Sequence, residues 1–202
     1  EKSAERWRTQ EAAIATMVVT TMAVLELKRR DVADAVQSLP IEIGGPFTMT
    51  AHDGRTVTQA DLVGRRSLIF FGFTYCPDVC PTELQVITEA MERLGQAGSK
   101  VQPLMITVDP ERDTVAVLAD YIGNFHPSLI ALTGSTAQVK AVTKAYRVYF
   151  AKAPPDDEGD YFMDHSAFIY LMGPDGKYLH HFAPTTAPED MADKIRAVMS
   201  EG

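Results

Sequence analysis

The stretch SLIFFGFTYCPDVCPTEL, Ser67 to Leu84, contains both cysteines of the chain, Cys76 and Cys80. Its first part, Ser67 to Phe73, is short and apolar without amphipathic spacing, which reads as a buried central strand. Beyond the cysteines, Leu84, Ile87, Met91 and Leu94 recur at helical spacing, and Gly95 and Gly98 punctuate the end. This predicts a helix from Thr82 to about Gln96, so the cysteines stand at a strand-to-helix junction. If the helix begins near Cys80 or Pro81, Pro81 suits the first helical position, where its missing N–H would have had no partner. Cys80 would then sit in the N-terminal turn, where free N–H groups and the helix dipole favour a thiolate. Pro77 stiffens the loop between the two sulfurs.

Strand and helix signals alternate on either side. Upstream, Ser38 to Pro46 reads as a linker, which starts the compact domain near Ile41. The run FTMTAHDGRTVT alternates around Asp53-Gly54, a hairpin signal. Downstream, Val101 to Asp109 reads as a strand, with Pro103 placing its beginning at an edge. Asp113 or Thr114 can cap a helix to about Asn124, Ser128 to Gly134 is strand-like, and Ser135 can cap a helix through Tyr146. A polar, proline-containing excursion ends near Phe162. Two apolar runs around Pro174-Asp175-Gly176 make a second hairpin, and Pro188 to Met199 a last helix. Parallel strands joined to an antiparallel edge follow from this order. It is the order of an α/β, thioredoxin-like domain with a central mixed sheet and an N-terminal hairpin.

The 202 residues, 46% hydrophobic, can bury one core of ordinary domain size. A formal charge of −8 argues against a nucleic-acid partner, because phosphate binding wants clustered Lys and Arg. Beginning at Glu1, the sequence reads as a processed or truncated product. Ala12 to Leu25 is uncharged and largely apolar, yet short of the roughly 20 residues that cross a bilayer. Residues 1–40 are expected to form a helical extension. Ile14, Met17, Val18, Thr21 and Leu25 could share one helical face, which would make a homo-oligomer through residues 10–30; a remnant of a membrane anchor is the other reading.

Two cysteines are too few for a disulfide scaffold or for a four-cysteine cluster, and structural zinc would need two further ligands. Three intervening residues still permit a disulfide, and they also leave room for a soft ion between two sulfurs. A dithiol switch, a Cu(I) site completed by an imidazole and a buried structural pair all remain open on spacing alone.

Three blocks, FFGFTYCPDVCPTEL, ITVDPERDT (Ile106 to Thr114) and DHSAFIYLMGPDGKYLHHF (Asp164 to Phe182), occur in order and resemble the Sco/SenC copper proteins over about Ile41 to Met199. The resemblance implies a thioredoxin-like domain, tethered by one N-terminal membrane helix. It faces the bacterial periplasm or, alternatively, the mitochondrial intermembrane space. It implies copper, Cu(I) and in addition Cu(II), as the bound metal, and a role in assembling the CuA centre of cytochrome c oxidase. Its partners are then the copper-binding subunit of the oxidase and other copper donors or acceptors. The family's ligands fall on Cys76, Cys80 and His165, with Asp78 and Asp164 as supporting groups.

In an extended segment Met163 shares a face with His165, although a methionine there is more often packing. His52 and His126 lie beside turns, and His180 and His181 point to opposite faces of a strand. The leading expectation is a metallochaperone. A thiol-disulfide oxidoreductase, with Cys76 and Cys80 as the reactive pair acting on the oxidase's cysteines, is the main rival. A copper or redox sensor is a third option, and a peroxidase fits less well.

Overall fold

The computed structural model describes residue 22 and residues 42–156 and 159–200. The chain divides into two units, Glu1–Ile41 and Glu42–Gly202, and the following concerns the second. The expected helix over residues 1–40 and the self-association through residues 10–30 fall, apart from Met22, outside the described residues. Among the described residues no helix is long and apolar enough to cross a membrane.

The chain enters through an antiparallel hairpin, β1 (Thr48–Ala51) and β2 (Thr56–Thr58), with Gly54 at φ 84 in the turn between them. Next come β3 (Arg66–Gly72), helix α1 (Val79–Leu94) and β4 (Val101–Thr107). Helix α2 (Val115–Tyr121), β5 (Ile130–Thr133) and α3 (Thr136–Ala145) follow. Strands β6 (Phe150–Lys152) and β7 (Met163–His165) pair as a separate ribbon. A hairpin of β8 (Ile169–Met172) and β9 (Tyr178–Phe182) precedes the last helix, α4 (Pro188–Ser200).

The seven-stranded sheet runs β2-β1-β5-β4-β3-β8-β9. β3 is parallel to β4 and β4 to β5, while β8 and β1 close the two sides of this parallel centre in antiparallel pairing. It is the mixed sheet of a thioredoxin-like domain. All seven residues of β4 are buried, as are those of β3 from Ser67 onward. Both faces of these strands are covered, which is why their sequences read as continuous apolar runs rather than alternating ones. Pro103 pairs with Leu68 on the β3 side, and β5 joins only from Leu104. Pro103 therefore lies at the beginning of an interior strand, where β3 is paired on one side and β5 has not yet joined on the other.

Ser135 and Gln138 form a reciprocal capping box at the start of α3, and the Thr114 hydroxyl accepts from Val117 N at the start of α2. Two expectations change. Helix α1 begins at Val79, so Pro81 occupies its third position; the first turn lacks intrahelical N–H bonds there too, so the ring costs nothing. The excursion ending near Phe162 is bracketed by the β6–β7 ribbon, whose three-residue strands are too short for alternation to register.

Candidate metal centre

Gly72 ends β3 beneath the cysteine loop. A Cβ built on it would lie 2.6 Å from the Phe70 ring and 2.9 Å from Cys80 Sγ, so only glycine lets the strand pass this close to the sulfur. Thr74 fixes the start of the loop. Its N–H lies 3.2 Å from Asp113 Oδ2 and its hydroxyl donates to Asp113 Oδ1 at 2.6 Å. Asp113 takes a further hydrogen bond from the Thr107 hydroxyl at 2.5 Å, which joins the loop to the end of β4. Asp113 is fully buried, and that burial raises its carboxyl above the ordinary range against the pull of these donors. The residue anchors the cysteine loop instead of capping α2.

Cys76 N donates to Phe73 O at 3.4 Å, and Cys80 N donates to Cys76 Sγ at 3.4 Å. Both cysteines are free thiols, Cys76 partly exposed and Cys80 buried in the first turn of α1. His165, 85 residues beyond Cys80, brings Nε2 to 3.5 Å from Cys80 Sγ. The ribbon carries it there, through the pairing of His165 with Phe150 and the bond from Ser166 N to Tyr149 O at 2.9 Å. The Phe70 and Phe73 rings meet the imidazole edge-on, at centroid distances of 6.2 and 5.8 Å. Nδ1 lies 3.1 Å from Ser166 O. A carbonyl can only accept, so Nδ1 carries the proton and Nε2 turns a lone pair toward the sulfur.

The environment is drier than the helix-terminus reading implied. Burial pushes the Cys80 thiol up, with the nearby Cys76 and Asp113 adding to it and the Phe73 backbone opposing. The expected thiolate preference of Cys80 does not hold in the metal-free protein, because this thiol has no exposed surface and burial raises it. Burial likewise holds His165 below the usual imidazole value, opposed by the Ser166 carbonyl and the Asp164 charge.

His165 ends strand β7. The partner fixing its second nitrogen is the Ser166 carbonyl, not Asp164, whose side chain is on the exposed face of the ribbon. Asp78 is exposed at the N-cap position of α1, and its side chain makes no cap bond. Met163 is buried and belongs to the hydrophobic core. His52 Nδ1 accepts from Ala131 N, His126 pairs with Ser128, and His181 bonds the Tyr178 hydroxyl. Cys80 and His165 are brought together, with Cys76 one turn before. Among the described residues no three His, Cys, Asp or Glu side chains are already gathered to hold an ion. Gly72, Asp113 and Ser166 all lie inside the three family blocks, but nothing local in the sequence marks their parts in the site; of the two cap candidates, Asp113 and Thr114, it is Thr114 that caps α2.

A family model described as SCO1/SenC matches residues 35–200. The SCO2 homolog of Bos taurus mitochondria is 44% identical over 158 residues, 77% of this chain and 59% of the relative. Over the mitochondrial relatives from Bos taurus, Mus musculus and Homo sapiens the chain spans 59%, 56% and 53% of their length. Bradyrhizobium japonicum ScoI, solved with copper bound, is 46% identical with a TM-score of 0.72, over 77% of this chain and 98% of that one. BsSco, described as a member of the Sco family of cytochrome c oxidase assembly proteins with a disulfide switch, is 26% identical with a TM-score of 0.63. That match covers 80% of this chain and 96% of BsSco. With a family model spanning most of its length, the chain belongs to the SCO1/SenC family.

Proposed function

We propose that this protein is a copper metallochaperone in which Cys76, Cys80 and His165 hold the metal, and that it delivers copper to, or helps assemble, the CuA centre of cytochrome c oxidase. One observation carries the reading: Cys80 Sγ stands 3.5 Å from His165 Nε2, the nitrogen left with its lone pair. Two thiolates and a neutral imidazole are a soft donor set that suits Cu(I). The copper-bound ScoI of Bradyrhizobium japonicum and the oxidase-assembly description of BsSco support the choice of cargo and recipient. Capture draws the Cys76 sulfur from its bond with Cys80 N toward the Cys80–His165 pair and releases the thiol protons. A shell of three ligands leaves the ion open to a partner's thiolate, so transfer proceeds by ligand exchange. The site works on the periplasmic face of a bacterial inner membrane, and Asp78 and Asp164 tune its charge.

Cu(I) titration of the reduced protein against a chromophoric chelator, with ligands identified by X-ray absorption, tests the assignment. Wild type takes up one equivalent through two sulfurs and one nitrogen. Cys80→Ala abolishes stoichiometric binding, and tight binding retained in that variant overturns the site.

A second reading rests on Cys76. It is the more exposed cysteine, and its sulfur accepts a backbone N–H at a helix start, the placement of an attacking thiol in disulfide exchange. His165→Ala separates the two: lost copper with intact reduction of a partner disulfide and intact oxidase assembly favours the oxidoreductase.

A further inference from the structure

Arg112 lies in the turn between β4 and α2, and the metal chemistry above makes no use of it. Its guanidinium carbon stands 3.7 Å from the centre of the Tyr161 ring, 4.5 Å from Tyr75 and 5.9 Å from Phe73. Nε donates to Asp109 Oδ2 at 2.5 Å, and the Tyr161 hydroxyl donates to the other oxygen of the same buried carboxylate at 2.9 Å. The Tyr75 hydroxyl donates to Asp160 Oδ2 at 3.0 Å, and Lys152 Nζ covers Tyr161 at 3.7 Å.

Two separate segments, the cysteine loop and the chain before β7, meet at this one cation. Tyr75 precedes Cys76 in the cysteine loop, and Tyr161 lies four residues before His165 on the chain leading into β7. Phe73 touches both Arg112 and the His165 ring. Nη1 and Nη2 are buried without a hydrogen-bond partner, so the planar stack and Nε hold the group rather than a two-pronged salt bridge.

We propose that Arg112 is a positioning residue of the copper site. It clasps Tyr75 to Tyr161 and so holds the cysteine loop against the ribbon that carries His165. The proposal rests on the functional reading above only for its copper readout. Its mechanical part stands on the metal-free protein.

The test uses the reduced full chain and the variants Arg112→Met, Arg112→Lys and Tyr75→Leu. In metal-free protein, Arg112→Met speeds amide hydrogen exchange at residues 74–80 and 161–165 and leaves β3 and β4 protected. Cu(I) affinity, read by competition with bicinchoninate, falls about 10–100-fold, the usual cost of removing a group that orients a ligand. In the Cu(II) form the imidazole nitrogen hyperfine signal weakens. Lysine does not restore these properties, because it keeps the charge without the plane. Unchanged exchange and affinity in Arg112→Met overturn the clasp, and full rescue by lysine overturns the stacking argument. If Arg112→Met unfolds, Tyr75→Leu, altered on a half-exposed ring, decides by the same measurements. A wild-type chain that binds no copper sinks the functional reading, while the exchange data still judge the clasp.

Discussion

His165 Nε2 sits 3.5 Å from Cys80 Sγ while its other nitrogen bonds the Ser166 carbonyl next to it in the chain. The tautomer is thus chosen by backbone before any metal arrives, and the lone pair faces the buried sulfur. The expected outcome in nitrogen-15 NMR of the reduced, metal-free protein is a His165 ring protonated at Nδ1 with an unprotonated Nε2. A ring protonated at Nε2 would remove the ready ligand.

Gly72 sets the second constraint, since a methyl group there meets Phe70 at 2.6 Å and Cys80 Sγ at 2.9 Å. Gly72→Ala forces one or both aside in a dry, packed region. Overpacking of this kind typically costs about 1–3 kcal/mol, read as a lower urea midpoint at unchanged slope. The displaced sulfur lowers Cu(I) affinity as well. A variant with wild-type stability and affinity would show that the strand has room to relax.

The order of strands and helices was legible because each element carries its own periodicity or cap: the apolar runs of β3 and β4, the spacing of Leu84, Ile87, Met91 and Leu94, and the Ser135 box. The proposed ligand residues were legible only through family motifs. Nothing local in DHSAFIY says that His165 meets a sulfur 85 residues earlier. The role of Ser166 was hidden because a backbone carbonyl has no sequence signature. Asp113 and Thr114 both look like caps before α2; Thr114 is the cap, and only the fold reveals that Thr74 and Thr107 converge on Asp113. The position of Cys80 at a helix start is visible in the sequence, whereas its burial, which raises the thiol, is visible only in the fold.

Asp113 yields a prediction of its own. Asp113→Ala leaves the Thr74 amide and the Thr107 hydroxyl without their acceptor in the interior. Stranding buried donors of this kind costs about 2–4 kcal/mol in total. The loss appears in urea unfolding of the metal-free protein, with faster amide exchange around Thr74. Asp113→Asn keeps one acceptor oxygen and falls between. Equal stability of all three proteins would mean that water replaces the carboxylate.

Glu83 supplies a pH signature separable from the metal site. It is 2% exposed on α1, and burial raises its carboxyl from 4.5 to about 7. The folded state therefore binds more protons than the unfolded state between those values. Its contribution is fully present below about pH 4.5 and is lost as pH rises through about 7, reaching about 3 kcal/mol at most. His165 works in the opposite direction, since its lowered value makes the folded state bind fewer protons as pH falls. Comparing wild type with Glu83→Gln cancels that background. Urea unfolding at about pH 5 and about pH 8 is expected to show the variant gaining about 1–3 kcal/mol on wild type at the higher pH, with the difference shrinking at the lower one. A difference independent of pH would mean that Glu83 titrates in the folded protein as it does in the unfolded chain.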